Sequence, residues 1–186
     1  MRIIGGKHRG RSLSAPEGWS IRPTADRTRE SLFNLLEHGR LASNGSRVHG
    51  AIVLDAFAGS GAFSLEALSR GAASATALDN DRQAIASIRS NAAMLGEDGS
   101  LHVVQADANR PPPATVPASL AFLDPPYGKD MAVPALEALN NAGWIASDAL
   151  IAIETGSKDT LEAPPGFTLE DARRYGRAKV WLLLRS

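Results

Sequence analysis

The chain has no cysteine, which excludes disulfides, thiolate nucleophiles and zinc–thiolate sites together. It has no apolar run near the ~20 residues that a membrane-spanning helix requires, so no membrane association is expected. Its opening, Met1-Arg2-Ile3-Ile4-Gly5-Gly6-Lys7, lacks the apolar stretch of a secretory signal. These absences lead to the expectation of a cytoplasmic protein. Repeats and extended low-complexity segments are also missing. The histidines His8, His38, His49 and His102 are scattered, and no His/Asp/Glu group has metal-ligand spacing, which argues against a metal site. Ser60 and Ser64 have no accompanying histidine base, which weighs against hydrolase chemistry.

Net charge is the last absence, and it conceals an asymmetry. The 20 Lys/Arg and 20 Asp/Glu cancel over the whole chain. Residues 1–50 hold nine basic and four acidic residues, whereas residues 51–186 hold eleven and sixteen. The first eleven residues carry Arg2, Lys7, Arg9 and Arg11 with no acid. This distribution suggests a basic arm that meets a polyanion, joined to an acidic body. A merely solvated basic end is the competing reading, and the Gly/Lys/Arg mixture favours a partner.

What is present suits one domain with a small appendage, because 186 residues at 44% hydrophobic composition can bury a core. Residues 1–22 read as a short β-hairpin or extended arm, with a loop at Pro16-Glu17-Gly18. Thr24 offers an N-cap for a helix over 25–39 that carries Leu32, Phe33, Leu35 and Leu36. Gly39 and Ser43-Asn44-Gly45-Ser46 end that helix, which places a boundary at residue 46 between an extension (1–46) and the main domain (47–186). Strands are then predicted at 51–54, 75–78, 101–104, 120–123, 150–153, 167–169 and 180–184. Helices are predicted at 62–69, 81–95 and 133–141, the second carrying Ala84, Ile85, Ile88, Ala92 and Leu95 at helical spacing. Apolar strands alternating with helices imply an α/β fold whose parallel sheet is covered on both faces. The short Tyr175-Gly176-Arg177 connection implies an antiparallel hairpin at the sheet edge. The proline-rich stretch 110–117 reads as a surface loop.

Asp55, Asp79, Asp107 and Asp124 each stand at or just after a predicted strand end, where doubly wound sheets bind ligands. After Asp55 comes Ala56-Phe57-Ala58-Gly59-Ser60-Gly61, whose glycines allow a tight turn and close backbone approach. This loop lacks the third glycine of the dinucleotide fingerprint. A carboxylate-rich pocket tolerates a sulfonium cofactor better than a phosphate. Asp79 is placed to accept from ribose hydroxyls, and Asp107 from an adenine amino group.

The tetrapeptide Asp124-Pro125-Pro126-Tyr127 supplies what a base-modifying site needs. An exocyclic amine on a base is a weak nucleophile, so its protons must be held and its nitrogen aimed. Asp124 can accept one proton and the Pro125 carbonyl the other, while the two prolines fix the backbone. Tyr127 offers a stacking face for an unstacked base. With the glycine loop upstream, the expected chemistry is methyl transfer from S-adenosylmethionine to a nucleic-acid base.

The chain resembles the RsmD family of 16S ribosomal RNA guanine-N2 methyltransferases along nearly its whole length. The most discriminating segments are Arg2-Ile3-Ile4-Gly5-Gly6-Lys7-His8-Arg9-Gly10-Arg11 and Arg22-Pro23-Thr24-Ala25-Asp26-Arg27-Thr28-Arg29-Glu30-Ser31-Leu32-Phe33-Asn34. The resemblance implies a monomeric Rossmann-like class I methyltransferase. Its sheet would be mostly parallel and seven-stranded with an antiparallel last strand, and its N-terminal hairpin-and-helix extension would grip RNA. It implies S-adenosylmethionine as donor and, as partner, 16S rRNA in the small ribosomal subunit together with ribosomal proteins. Carried onto this chain, the cofactor would meet Asp55, Phe57, Gly59, Ser60, Gly61, Asp79, Asn80, Asp107, Ala108 and Asp124. The guanine would meet Asp124 to Tyr127, and RNA would meet Arg2, Lys7, His8, Arg9, Arg11, Arg22 and Arg27. Relatives often have glutamate where Asp79 stands and tryptophan where His8 stands. Alternatives are methylation of adenine N6 or cytosine N4 in DNA, for which the chain lacks a target-recognition domain, and a non-catalytic RNA-binding assembly factor.

Overall fold

The computed structural model describes residues 1–15, 23–42, 45–126, 128 and 130–186, with 23–25 as backbone only. Arg22, Tyr127, the Pro16–Gly18 loop and Ser43-Asn44 lie outside the described residues, as does the side chain of Thr24. Helix α1 spans Pro23–His38, followed by β1 (Ile52–Ala56), α2 (Ala62–Ser69), β2 (Ser74–Asp79), α3 (Arg82–Leu95), β3 (Leu101–Gln105), β4 (Ala118–Leu123), α4 (Ala132–Asn141), β5 (Ile145–Gly156), β6 (Phe167–Tyr175) and β7 (Ala178–Arg185). The strands form one seven-stranded sheet in the order β3-β2-β1-β4-β5-β7-β6. All pairings through β5 are parallel, and β7 runs antiparallel to both its neighbours. This is the Rossmann-like class I methyltransferase fold.

Alternating side chains divide the core between two faces. On one, Val53, Ala75, Leu120, Phe122 and Leu150 pack with α1, α2 and α3. On the other, Leu54, Leu78, Ala121, Leu123 and Ile151 pack with α4 and Trp144. The second face is covered by less helix, and the 106–117 connection compensates. Trp144 Nε1 donates to the Pro112 carbonyl at 2.8 Å, and Ala108 and Ala114 pack onto that core. The five apolar residues expected on α3 are all buried. Asp81 caps that helix by accepting from the Gln83 and Ala84 amides, and Gly96, at φ 70°, ends it.

The strands all run longer than the sequence pattern predicts, β5 and β6 by the most. β5 begins at Ile145 rather than 150, because a register shift between Ala118 and Leu120 interrupts its pairing with β4 and Asp148 adopts φ 59°. That irregularity breaks the apolar run that reveals a strand. β6 continues through Glu170, Asp171, Arg173 and Arg174 to Tyr175, since an edge strand is protected by charges rather than marked by apolar residues. The expected hairpin exists, but β6 takes the edge and β7 inserts between β5 and β6.

The N-terminal arm folds back on itself through an Arg2–Ser12 bridge and a 3-10 turn at Gly6–His8. Ile3 and Leu13 join the same buried cluster as α1, α2 and the sheet. What holds the arm is Glu66, the one charged residue of α2 and fully buried. Its carboxylate accepts from the amides of Ile4 and Gly5, each at 2.8 Å. Arg70 Nε lies 2.7 Å and Arg29 Nε 3.6 Å from the same group, and Arg70 reaches on to Glu37 at 2.5 Å. Gly6 has φ 75°, and a Cβ there would stand 1.8 Å from the Ser69 carbonyl oxygen, so only glycine permits this approach. Removing a buried carboxylate that faces two nearly buried guanidinium groups costs about 3–5 kcal/mol. Glu66→Ala is therefore expected to lower unfolding free energy by about that amount in urea titration, and Glu66→Gln by less.

Candidate active site

The register of the sheet sets the site. Ala56 of β1 lies beside Leu78 of β2 and Leu123 of β4, so Asp79 and Asp124 stand one residue further on, flanking Phe57. Neighbouring strands are about 4.8 Å apart, so the two backbone positions are roughly 10 Å from each other. Between β1 and β4 the strand order reverses, which opens a crevice beyond the carboxyl ends. Asp107 lies two residues beyond Gln105, which pairs with Asp79 on the outer side.

The chain turns out of β1 under strain. Phe57 has φ 63°, Gly59 58° and Gly61 77°, and a left-handed conformation at the non-glycine Phe57 costs of order 1 kcal/mol. Neighbouring elements hold this loop. Asp79 Oδ2 accepts the Gly59 amide at 2.8 Å, and its Oδ1 accepts the Asp81 amide at 2.9 Å. Asn91 of α3 donates to the Ser60 carbonyl at 3.0 Å. The same Asn91 side chain accepts from the Ser14 amide and donates to the Ser14 carbonyl, tying the arm to the loop. Ser60 Oγ donates to the Met1 sulfur at 3.2 Å.

Asp55 turns inward rather than toward the crevice. It is 1% exposed, and its Oδ2 accepts from both the amide and the hydroxyl of Ser64 at 3.0 and 2.9 Å. It thereby caps a free N–H in the first turn of α2 from outside the helix. Burial pushes its carboxyl up to about 7; the Ser64 hydrogen bonds and Arg29 pull it down, and the Asp79 charge raises it further. Asp79, 8% exposed, uses one lone pair on each oxygen for the amides, which leaves acceptor capacity for hydroxyl groups. Asp107 Oδ1 accepts from the amide and side chain of Asn109. Ala108 is buried, and Asn80 is exposed with its carbonyl accepting from Gln105.

Asp124 is exposed, Pro125 buried and Pro126 exposed. Two hollows meet at this turn. One, with room for about a single water, lies between Phe63, Phe122, Asp124 and Glu154 on the α1–α2 side. The other, about 770 Å³ and open to solvent, is lined by Pro125, Pro126, Asp130, Glu154, Asp159 and Glu162 among others. Glu154 borders both. Asp79 and Asp107 line neither; the cofactor candidates lie along β1–β3, while Asp124 borders the smaller hollow and Pro125 and Pro126 the open cleft.

The basic arm divides into two kinds of residue. Lys7 Nζ and His8 Nε2 reach Glu97 at 2.8 and 2.6 Å. Burial works against ionisation of Glu97, yet hydrogen bonds and charge from Lys7 and His8 hold its carboxyl below the usual range. Arg2, Arg9, Arg11 and Arg27 are exposed. Among the described residues no cluster of His, Asp or Glu could hold a metal, and no helix is long and apolar enough to cross a membrane.

Sequence reading missed Asn91 and Glu154. Asn91 is the one polar residue on the apolar stripe of α3. Glu154 follows the apolar run Leu150–Ile153 just as Asp55, Asp79 and Asp124 follow theirs, so the same rule identifies it.

The family model described as Conserved hypothetical protein 95 matches residues 1–184. Ribosomal RNA small subunit methyltransferase D of Escherichia coli (strain K12) is 39% identical over 166 residues, covering 89% of this chain and 79% of that protein. The protein of the same name from Haemophilus influenzae is 33% identical over 185 residues, covering 95% and 89%. The solved structure of the Escherichia coli protein yhhF superposes with a TM-score of 0.81 at 36% identity, covering 100% of this chain and 98% of that one.

The folded-state proton affinity of Asp55 has a measurable consequence. Its carboxyl titrates near 7 in the folded chain and near 4 when unfolded, so between these values the folded chain binds the extra proton. Stability conferred through Asp55 is complete below about 4 and is lost as pH rises to about 7. In urea titrations across this range, the difference between wild type and Asp55→Asn is expected to change by a few kcal/mol. A constant difference would mean that Asp55 ionises as in water.

Proposed function

Since the chain belongs to the ribosomal RNA small subunit methyltransferase D (RsmD) family, we propose that it methylates the exocyclic N2 of a guanine in 16S rRNA of the small ribosomal subunit. The donor in this reading is S-adenosylmethionine, which supplies a methyl group bonded to a positively charged sulfur. The observation that carries the proposal is the placement of Asp79 and Asp124 on either side of the strained Phe57 turn, at the point where strand order reverses.

The residues fit such a donor. Asp79 has acceptor capacity left for ribose hydroxyls, Asp107 and Ala108 border the adenine position, and Asn80 lies beside the ribose. Gly59, Ser60 and Gly61 pass the methionine portion, with no side chain at either glycine to exclude it. Asp55 acts as a positioning residue through Ser64 and α2. A monocation beside several carboxylates is electrostatically favoured where a diphosphate would be repelled.

At the cleft, the Asp124 carboxylate accepts one proton of the guanine amine and the Pro125 carbonyl the other, which orients the nitrogen toward the methyl carbon. The donor would supply the methyl carbon, the nitrogen–carbon bond forming as the carbon–sulfur bond breaks with its pair left on sulfur, and the proton then lost by the nitrogen passes to water in the open cleft, directly or by way of the Asp124 carboxylate that accepts its hydrogen bond. Tyr127 supplies a face for the extruded base. Arg2, Arg9, Arg11, Arg22 and Arg27 contact phosphates, while Lys7 and His8 serve first to latch the arm to Glu97. The protein acts as a monomer in the cytoplasm on rRNA partly covered by ribosomal proteins.

The test is to incubate the chain and labelled donor with naked 16S rRNA, small subunits and duplex DNA, then identify the modified nucleoside by mass spectrometry. N2-methylguanosine in a ribosomal substrate is expected; N6-methyladenine or N4-methylcytosine in DNA would replace this reading. Asp124→Ala is expected to reduce turnover at least 100-fold, given the worth of a positioned proton acceptor, with donor affinity by calorimetry unchanged within about twofold. Undiminished turnover would remove Asp124 from the chemistry.

A further inference from the structure

The acidic body contains a basic exception. Residues 172–179, Ala-Arg-Arg-Tyr-Gly-Arg-Ala-Lys, hold four cations and no acid. They form the tip of the β6–β7 hairpin, where Arg174 pairs with Lys179 and Tyr175 with Ala178. Arg173, Arg174 and Arg177 are exposed. Two of the cations are held in place. Arg173 Nε donates to Asp171 at 2.9 Å, and Lys179 Nζ sits 3.5 Å above the Trp181 ring.

The position of this tip gives it meaning. Thr155 of β5 pairs with Lys179 and Gly156 with Ala178, and the Ser157 amide donates to the Arg177 carbonyl at 2.8 Å. The tip therefore stands at the carboxyl end of the sheet, beside the open cleft that Glu154, Thr155 and Asp159 help to line. Lys158, exposed in the next connection, adds a fifth cation to the same edge. The cleft itself carries Asp130, Glu154, Asp159 and Glu162, which repel phosphates but suit the donor-rich edge of a base. A nucleotide entering it needs its backbone held outside the carboxylates, and the hairpin tip is where cations stand to do so.

We propose that the β6–β7 hairpin tip is a second RNA-backbone contact, separate from the N-terminal arm, that grips phosphates flanking the base held in the cleft. The inference rests on the reading of the site given above. A cluster of exposed arginines around the hairpin tip, Arg173 and Arg174 on opposite faces of β6, beside an acidic pocket fits a polyanion presenting a base more closely than an acidic protein surface, which the pocket would repel as well.

The experiment compares wild type with the triple variant Arg173→Gln, Arg174→Gln, Arg177→Gln for binding to naked 16S rRNA and to small subunits across a salt series. Loss of three phosphate contacts is expected to reduce the slope of log affinity against log salt by about two to three, with donor affinity unchanged. The companion variant with lysine at all three positions is expected to restore the slope. An unaltered slope in the glutamine variant overturns the proposal. Weaker binding to subunits with unchanged binding to naked rRNA also overturns it, because the contact is then with a ribosomal protein. Failure of wild type to methylate any ribosomal substrate would sink the proposed reaction, while the binding slopes still decide whether the tip meets RNA.

Discussion

A backbone loop that presents its amides and glycines to a ligand must itself be held still, and here the holding is done by carboxylates from adjacent strands. Asp79 accepts the Gly59 amide with one oxygen and the Asp81 amide with the other, so one side chain fixes the turn after β1 and the entrance to α3. Asp55 does the corresponding work for α2 through Ser64. Without these bonds the strained Phe57 backbone and the two left-handed glycines would have no reason to persist. The crevice at the strand-order reversal is thus pre-formed by buried acids.

The arm extends this restraint. Glu66 anchors Ile4 and Gly5, Glu97 anchors Lys7 and His8, and Asn91 bridges Ser14 to Ser60. A segment that reads as a basic hairpin or extended arm is in large part a strap over α2 and α3, with Met1 lying against the glycine loop. The strap leaves Arg2, Arg9 and Arg11 exposed. Arm and loop therefore share a core, and a change in one is felt by the other.

Much of the fold was legible because buried parallel strands read as short apolar runs, and the apolar residues of α3 recur at helical spacing. The aspartates at successive strand ends marked the candidate site by the same logic. Where legibility failed, the physics differs from the pattern sought. The start of β5 is hidden by the irregularity at Asp148, and the edge strand β6 is polar because solvent and charge protect it. Asp55 was assigned to the ligand by its position, which does not reveal its burial or its bonds to Ser64. The pairing of Lys7 and His8 with Glu97 was invisible because Glu97 is 89 residues from His8 in sequence. Averaging charge over residues 51–186 concealed the basic hairpin tip.

The most direct measurement is a crystal structure of the protein with S-adenosylmethionine bound. The account predicts ribose hydroxyls on Asp79, the methionine portion along Gly59–Gly61, and the methyl carbon aimed at the Asp124–Pro125 turn with an open path to the cleft beside Glu154. A methyl group directed away from that turn, or sealed from it by side chains, would contradict the account.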